Sequence, residues 1–214
     1  MSVVVSVNVG EPRIVEWAGR NVETAIWKTP VAGRVALAGI NLRGDRQADR
    51  RVHGGSDKAV YAYAAADYRW WEEQLAARLE PGTFGENLTV DGVDLAGAGV
   101  GEIWRIGSAT LQVAQPRLPC FKLGIRMGDA GFVDRFGDAG RLGVYFRVIE
   151  EGDIGAGDRI ERATPPEHGL TAYAIAEAHE TLAPALVRQL LTVPEVPDTW
   201  RVWAERALGR MREG

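Results

Sequence analysis

The chain has 214 residues, with 25 basic against 29 acidic side chains and a formal net charge of −4. Its 46% hydrophobic and 25% charged residues are those of a folded globular protein, which excludes a disordered or fibrous chain. The mild acidity argues against a non-specific grip on nucleic-acid phosphates, and the longest apolar run, Ala59 to Ala66, is far short of the ~20 residues that span a bilayer.

In chain order, the start reads as a first β-strand, Val3 to Val9, because it lacks the basic and long apolar regions of a secretory signal. A cytoplasmic protein is expected. Further β-like runs follow at Val35 to Leu42, Ala59 to Tyr63, Asn87 to Val90, Ile103 to Ile106, Ala109 to Gln115, Gly143 to Val148 and Arg159 to Arg162. Most are bounded by Gly, Asp or Pro, and Gly107-Ser108 reads as a tight hairpin turn. Between strands, Tyr68, Trp71, Leu75 and Leu79 fall at helical spacing, with Asp67 as the expected cap and Pro81-Gly82 as the stop. The expectation is a mainly β (α+β), barrel-like domain with helical insertions over residues 1–164.

The pattern changes at Ala163-Thr164-Pro165-Pro166, where proline cannot continue a strand ladder. Residues 165–214 read as a three-helix unit: Thr171 to Glu180, Ala183 to Leu191 with Pro184 in its first turn, and Trp200 to Leu208 with Asp198 as its expected cap. The third helix mixes acidic and basic residues with two tryptophans, so it lacks the basic face of a DNA-reading helix.

A single cysteine, Cys120, excludes an internal disulfide, and with three scattered histidines (His53, His168, His179) it makes no recognisable zinc cluster. Three segments combine hydrogen-bond donors with irregular backbone. In Gly44 to Lys58, Gly54-Gly55 permits close approach of a ligand while Arg50, Arg51, His53 and Lys58 supply positive charge. Lys58 carries extra weight, because the chain has only three lysines (Lys28, Lys58, Lys122) against 22 arginines. In Pro81 to Thr89, Gly85 and the amide of Asn87 suit hydrogen bonding to a polar heterocycle, although a turn entering a strand explains the same residues. In Gln115 to Lys122, two prolines stiffen the approach to Cys120, and Arg117 and Lys122 favour the thiolate that serves as nucleophile or soft-metal ligand.

Taken in order, Gly44-Asp-x-Gln-x-Asp49, His53-Gly-Gly-x-Asp-Lys-Ala-Val-Tyr61, Pro81-Gly-x-Phe-Gly-Glu-Asn-Leu88, Pro116-Arg-x-Pro-Cys120 and Gly157-Asp-Arg-Ile160 resemble the MOSC family of molybdenum-cofactor sulfurase C-terminal-like domains, in its YiiM-like branch. The helical tail opening at His168-Gly-Leu-Thr171 is similar to the extension of that branch. The resemblance implies a β-barrel-like fold that holds the molybdopterin form of the molybdenum cofactor, with Cys120 as protein ligand to the metal. It further implies Arg117, His53 and Lys58 as holders of the phosphate or pterin, and Gly85 and Asn87 as contacts to the ring system.

The implied reaction is reduction of N-hydroxylated compounds, such as hydroxylaminopurine-type bases, to amines. No dinucleotide fingerprint or iron–sulfur cysteine set is present in the sequence, so the expected electron source is an external reductase, a flavoprotein. The expected partners otherwise are small molecules, with neither nucleic-acid polymer nor membrane. Two alternatives stay open at this point: sulfur transfer through a Cys120 persulfide, and a non-catalytic cofactor-binding module. The tail beyond Pro166 is expected to be dispensable for holding the cofactor but needed for efficient electron delivery or for shaping substrate entry.

Overall fold

The computed structural model describes residues 1–48 and 54–213. Four strands and two short ones open the chain: β1 (Val3–Val9), β2 (Arg13–Trp17), β3 (Arg20–Thr24), β4 (Thr29–Pro30), β5 (Arg34–Ala38) and β6 (Asn41–Leu42). A 3-10 turn, Ser56–Lys58, leads into β7 (Val60–Ala64), α1 (Ala65–Leu75) and β8 (Leu88–Asp91). Then come β9 (Ile103–Ile106), β10 (Ala109–Pro116), α2 (Phe121–Met127), α3 (Phe132–Asp138), β11 (Val144–Glu150), β12 (Gly152–Gly155) and β13 (Ile160–Arg162). Three helices close the described chain: α4 (Ala172–Thr181), α5 (Pro184–Thr192) and α6 (Asp198–Glu213).

Eight strands form one sheet in the order β13-β9-β10-β11-β7-β8-β1-β4. Only β7 and β8 run parallel, which α1 makes possible by carrying the chain back between them. The sheet curls until its ends meet. Val4 N donates to Asp158 O (2.9 Å), Ile160 N donates to Ser2 O (3.0 Å), and Val3 bridges Arg159, so β1 closes the ring beside β13. The fold is therefore α+β with a barrel-like sheet, as the sequence pattern implies. Inside it lies an apolar core that includes Val7, Leu88, Trp104, Leu111 and Phe146, all fully buried.

Local departures from the sequence reading have physical causes. The run Val35 to Leu42 folds back on itself at Gly39, whose φ of 60° makes a turn between β5 and β6. The hairpin β2–β3 is mostly exposed and polar, so it carries no apolar alternation to betray it. Helices α2 and α3 have seven residues each, too few for a helical period to register. Ala64, and not Asp67, caps α1; Asp67 instead pairs with Arg141 across the fold. Asp198 lies within the first turn of α6. Thr171 does cap α4, its hydroxyl accepting from Ala174 N (3.1 Å), and Pro184 opens α5.

The C-terminal helices share an apolar cluster with Val100 and Leu118 of the barrel side. Two hydrogen-bonded contacts reach further. The Tyr173 hydroxyl of α4 accepts from Leu142 N (2.7 Å) and Gly143 N (2.8 Å). Trp200 Nε1 of α6 donates to Gln115 Oε1 (2.8 Å), and Gln115 Nε2 donates to Asp57 O (3.1 Å), beside Lys58. The helices thus brace backbone that carries Arg117, Lys58 and Tyr61. Trp200→Phe leaves the buried Gln115 oxygen without its donor and should cost about 1–3 kcal/mol, read as a lowered midpoint in denaturant unfolding.

Candidate functional site

Where β10 ends and β11 begins, a cleft enclosing about 710 Å³, solvent at its mouth included, opens between the loops that precede β7, β8 and α2. That size suits a cofactor or small-molecule ligand. It brings together five of the six residues singled out from the sequence: Lys58, Gly85, Asn87, Arg117 and Cys120 all line it. The sixth, His53, lies outside the described residues.

Arg117 is the most costly of these. It follows the last residue of β10, is only 5% exposed, and has no carboxylate partner among the described residues. Its guanidinium lies over the rings of Tyr61 (5.5 Å) and Phe136 (5.2 Å), and its Nη1 has no hydrogen-bond partner. A buried cation in this state is destabilising unless something negative enters the cleft. Burial raises the pKa of both Tyr61 and Tyr145, with Arg117 pulling the other way, so the two phenols stay protonated. The Tyr61 hydroxyl is spent on Leu142 O (2.8 Å).

Cys120 is partly exposed at the start of α2, its carbonyl accepting from Leu123 N (2.8 Å), and its side chain serves as no cap. The sulfur is therefore left to the cleft. Among the described residues no group of three or more His, Cys, Asp or Glu could hold a metal ion. A metal bound by Cys120 would have to bring most of its ligands with it.

Gly85 and Asn87 have structural work that their sequence reading did not contain. Gly85 has φ +81°, and a side chain there would meet Ile26 at 2.9 Å, so its bareness makes room for the segment between β3 and β4. The Asn87 amide donates to Asn8 O (3.3 Å) and Asp45 Oδ2 (2.9 Å), while its Oδ1 accepts from Tyr61 N (3.1 Å). Both ends of that amide are committed to the frame.

Sequence reasoning missed Lys28, Asp45, Tyr61 and Tyr145. Lys28 and Asp45 form a buried ion pair on the cleft wall, and Asp45 Oδ1 also accepts from Gly10 N (2.9 Å). The signal was available. All three lysines of this arginine-rich chain line the one cleft, and the rarity that marked Lys58 applies equally to Lys28 and Lys122.

Residues 49–161 match the family model described as the MOSC domain. The chain is 37% identical over 200 residues to the uncharacterized protein YflK of Bacillus subtilis, covering 92% of this chain and 90% of that one. It is 31% identical over 152 residues to a protein named reductase from Gibberella moniliformis, of which it spans 27%. The crystal structure of YiiM from Geobacillus stearothermophilus superimposes with a TM-score of 0.80 at 31% identity, over 97% of this chain and 100% of that one. This chain therefore belongs to the MOSC domain family. Within the family it is YiiM-like, and the similarity extends over the C-terminal helices as well as the barrel.

The loop bearing Gly85 is anchored by Glu86, which is wholly buried and unpaired with any cation among the described residues. Its Oε1 accepts from Tyr68 Oη (2.6 Å), Gly82 N (2.7 Å) and Thr89 Oγ1 (2.7 Å). Burial raises its pKa, the three hydrogen bonds working against that. A carboxyl whose folded pKa is raised stabilises the protein below its unfolded value of about 4.3, and that stability is lost as pH rises through the folded value. Glu86→Gln, which cannot ionise, should gain in melting temperature relative to the parent as pH goes from 4 to 8. A pH-independent difference would show that folding does not raise the Glu86 pKa.

Proposed function

We propose that the cleft holds the molybdopterin form of the molybdenum cofactor, with the Cys120 thiolate as protein ligand to the metal, and that the protein reduces N-hydroxylated compounds of the hydroxylaminopurine type to amines. The observation that carries the reading is Arg117: a buried guanidinium with an unfilled Nη1, in the same cleft as an available cysteine. The residues fit the group. A phosphate or other anionic part would fill the Arg117 donor, a thiolate suits a soft redox-active metal, and Lys58 and Lys122 add positive charge on the wall. When bound, the cofactor would supply two-electron redox chemistry.

The protein's own residues position and shield. Arg117 fixes the anion by charge-assisted hydrogen bonds, Tyr61, Phe84 and Tyr145 present ring surface for a flat heterocycle, and Cys120 sets the metal's place. Reduction consumes two electrons and two protons and yields the amine and water. The electrons come from an external reductase, which we assign to the flavoproteins, and the fungal relative named reductase supports a redox setting. The described helices include none long and apolar enough to cross a membrane. A cytoplasmic enzyme acting on small molecules, and not on nucleic-acid polymers, accords with this reading.

Protein made in a cofactor-competent host should carry molybdenum and pterin and should reduce 6-N-hydroxylaminopurine with a chemical electron donor. Cys120→Ser should fold but lose that turnover, because an alkoxide is a far less available ligand than a thiolate. Full activity in the serine variant would remove Cys120 from the metal. Arg117→Met makes a two-sided prediction. Loss of hydrogen bonds worth roughly 1.5–3 kcal/mol should weaken cofactor retention about tenfold to a hundredfold, measured as molybdenum content after dialysis. The cofactor-free variant should melt no lower than its parent, since it no longer buries an unpaired charge. A persulfide on Cys120 in metal-free, active protein would favour sulfur transfer instead.

A further inference from the structure

Lys28 is held in place by close backbone packing and a buried ion pair. Its backbone passes between two glycines: a side chain at Gly82 would come within 2.5 Å of Lys28 O, and one at Gly10 would collide with Trp27 O. Substitution at either position would push residues 27–28 out of place. The Lys28 side chain is 9% exposed and Asp45 is its only hydrogen-bond acceptor among the described residues, so two of its three N–H bonds are left for whatever enters the cleft. Asp45 in turn is acceptor to Gly10 N and Asn87 Nδ2 as well, so its oxygens are committed to the frame. The Tyr61 hydroxyl donates to Leu142 O and is likewise unavailable.

We propose that Lys28 is the proton donor to the leaving oxygen, with Asp45 as the positioning residue that holds its ammonium; the assignment rests on the N-hydroxyl reductase reading. The substrate R–NH–OH accepts two electrons, supplied by the cofactor and replenished by a flavin-dependent reductase. As the N–O bond breaks, the oxygen takes one proton from Lys28 and leaves as water. The nitrogen takes a second proton from solvent to give R–NH2, and the Lys28 amine regains its proton from water. Burial lowers the pKa of Lys28, while Asp45 and, more distantly, Glu86 pull it up, so the proton is released more readily than from a surface lysine. Arg46, Lys58, Arg117 and Lys122, the other cations on the wall, add no acceptor that would hold the proton back.

The test uses Lys28→Arg and Lys28→Gln holoenzymes. Arginine keeps the charge and the pairing with Asp45 but does not release its proton. Both variants should keep molybdenum within twofold of the parent, while kcat for hydroxylaminopurine reduction falls by about 100-fold or more and KM changes much less. A second readout needs no turnover: acylation of the cofactor-free protein with an amine reagent between pH 6 and 10, followed by peptide mass spectrometry. With only three lysines, each is read separately, and Lys28 should become reactive at lower pH than the side chain of a free lysine peptide. Full kcat in Lys28→Arg, loss of molybdenum from both variants, or an ordinary or absent acylation response at Lys28 would overturn the donor role and leave the reductase reading standing. Parent protein that binds no molybdenum, or carries it without turnover, would overturn that reading and the donor role with it, whatever the acylation shows.

Discussion

The Asp45 carboxylate is the fastening on which this cleft depends. It joins Gly10 after β1, Lys28 before β4 and Asn87 before β8, three points far apart in sequence. Asn87 then extends the connection to Asn8 O and Tyr61 N. Breaking a buried pair of this kind strands the remaining charge, at roughly 3–5 kcal/mol, so the network is held by the cost of its own disruption. Everything else in the cleft is placed relative to this knot: the backbone of 26–28 under Gly82 and Gly85, and the Tyr61 ring beneath Arg117.

Two buried cations in the same cleft have opposite treatments. Among the described residues Lys28 has a carboxylate and two spare N–H bonds, whereas Arg117 has aromatic rings and no carboxylate. The first arrangement is stable by itself and can exchange a proton. The second is incomplete until an anion arrives. A fold that keeps an unpaired guanidinium at the end of its longest strand gives up stability for binding, and the C-terminal helices offset part of that cost by bracing the neighbouring backbone through Tyr173 and Trp200.

What the sequence made legible was what local chemistry or a motif encodes. The strand Ile103 to Ile106, the Gly107 turn, the helix start at Thr171 and Pro184 are short-range signals, and they agree with the structure to within a residue or two. The gathering of Lys58, Gly85, Asn87, Arg117 and Cys120 came through motif order and not through any periodicity. Lys28 lay outside every motif, because its significance comes from a contact with Asp45 seventeen residues away and from two remote glycines. The true work of Gly85 and Asn87 was equally hidden, since a glycine that clears a neighbour and an amide that ties loops read the same in sequence as a pair that meets a ligand. The exposed β2–β3 hairpin left no pattern to find.

The closure between residues 2–4 and 157–160 also sets a schedule for the ribosome. The first strand emerges early but cannot obtain its last neighbour until more than 150 further residues have been made, at about 5–20 residues per second. During those seconds β1 has one unpaired edge, and Val5, already outward-facing in the finished barrel, stands beside it. The nascent chain therefore carries its greatest exposure to mispairing at its N-terminal end, and the rate-limiting event in reaching the native state should be this long-range closure rather than formation of any helix.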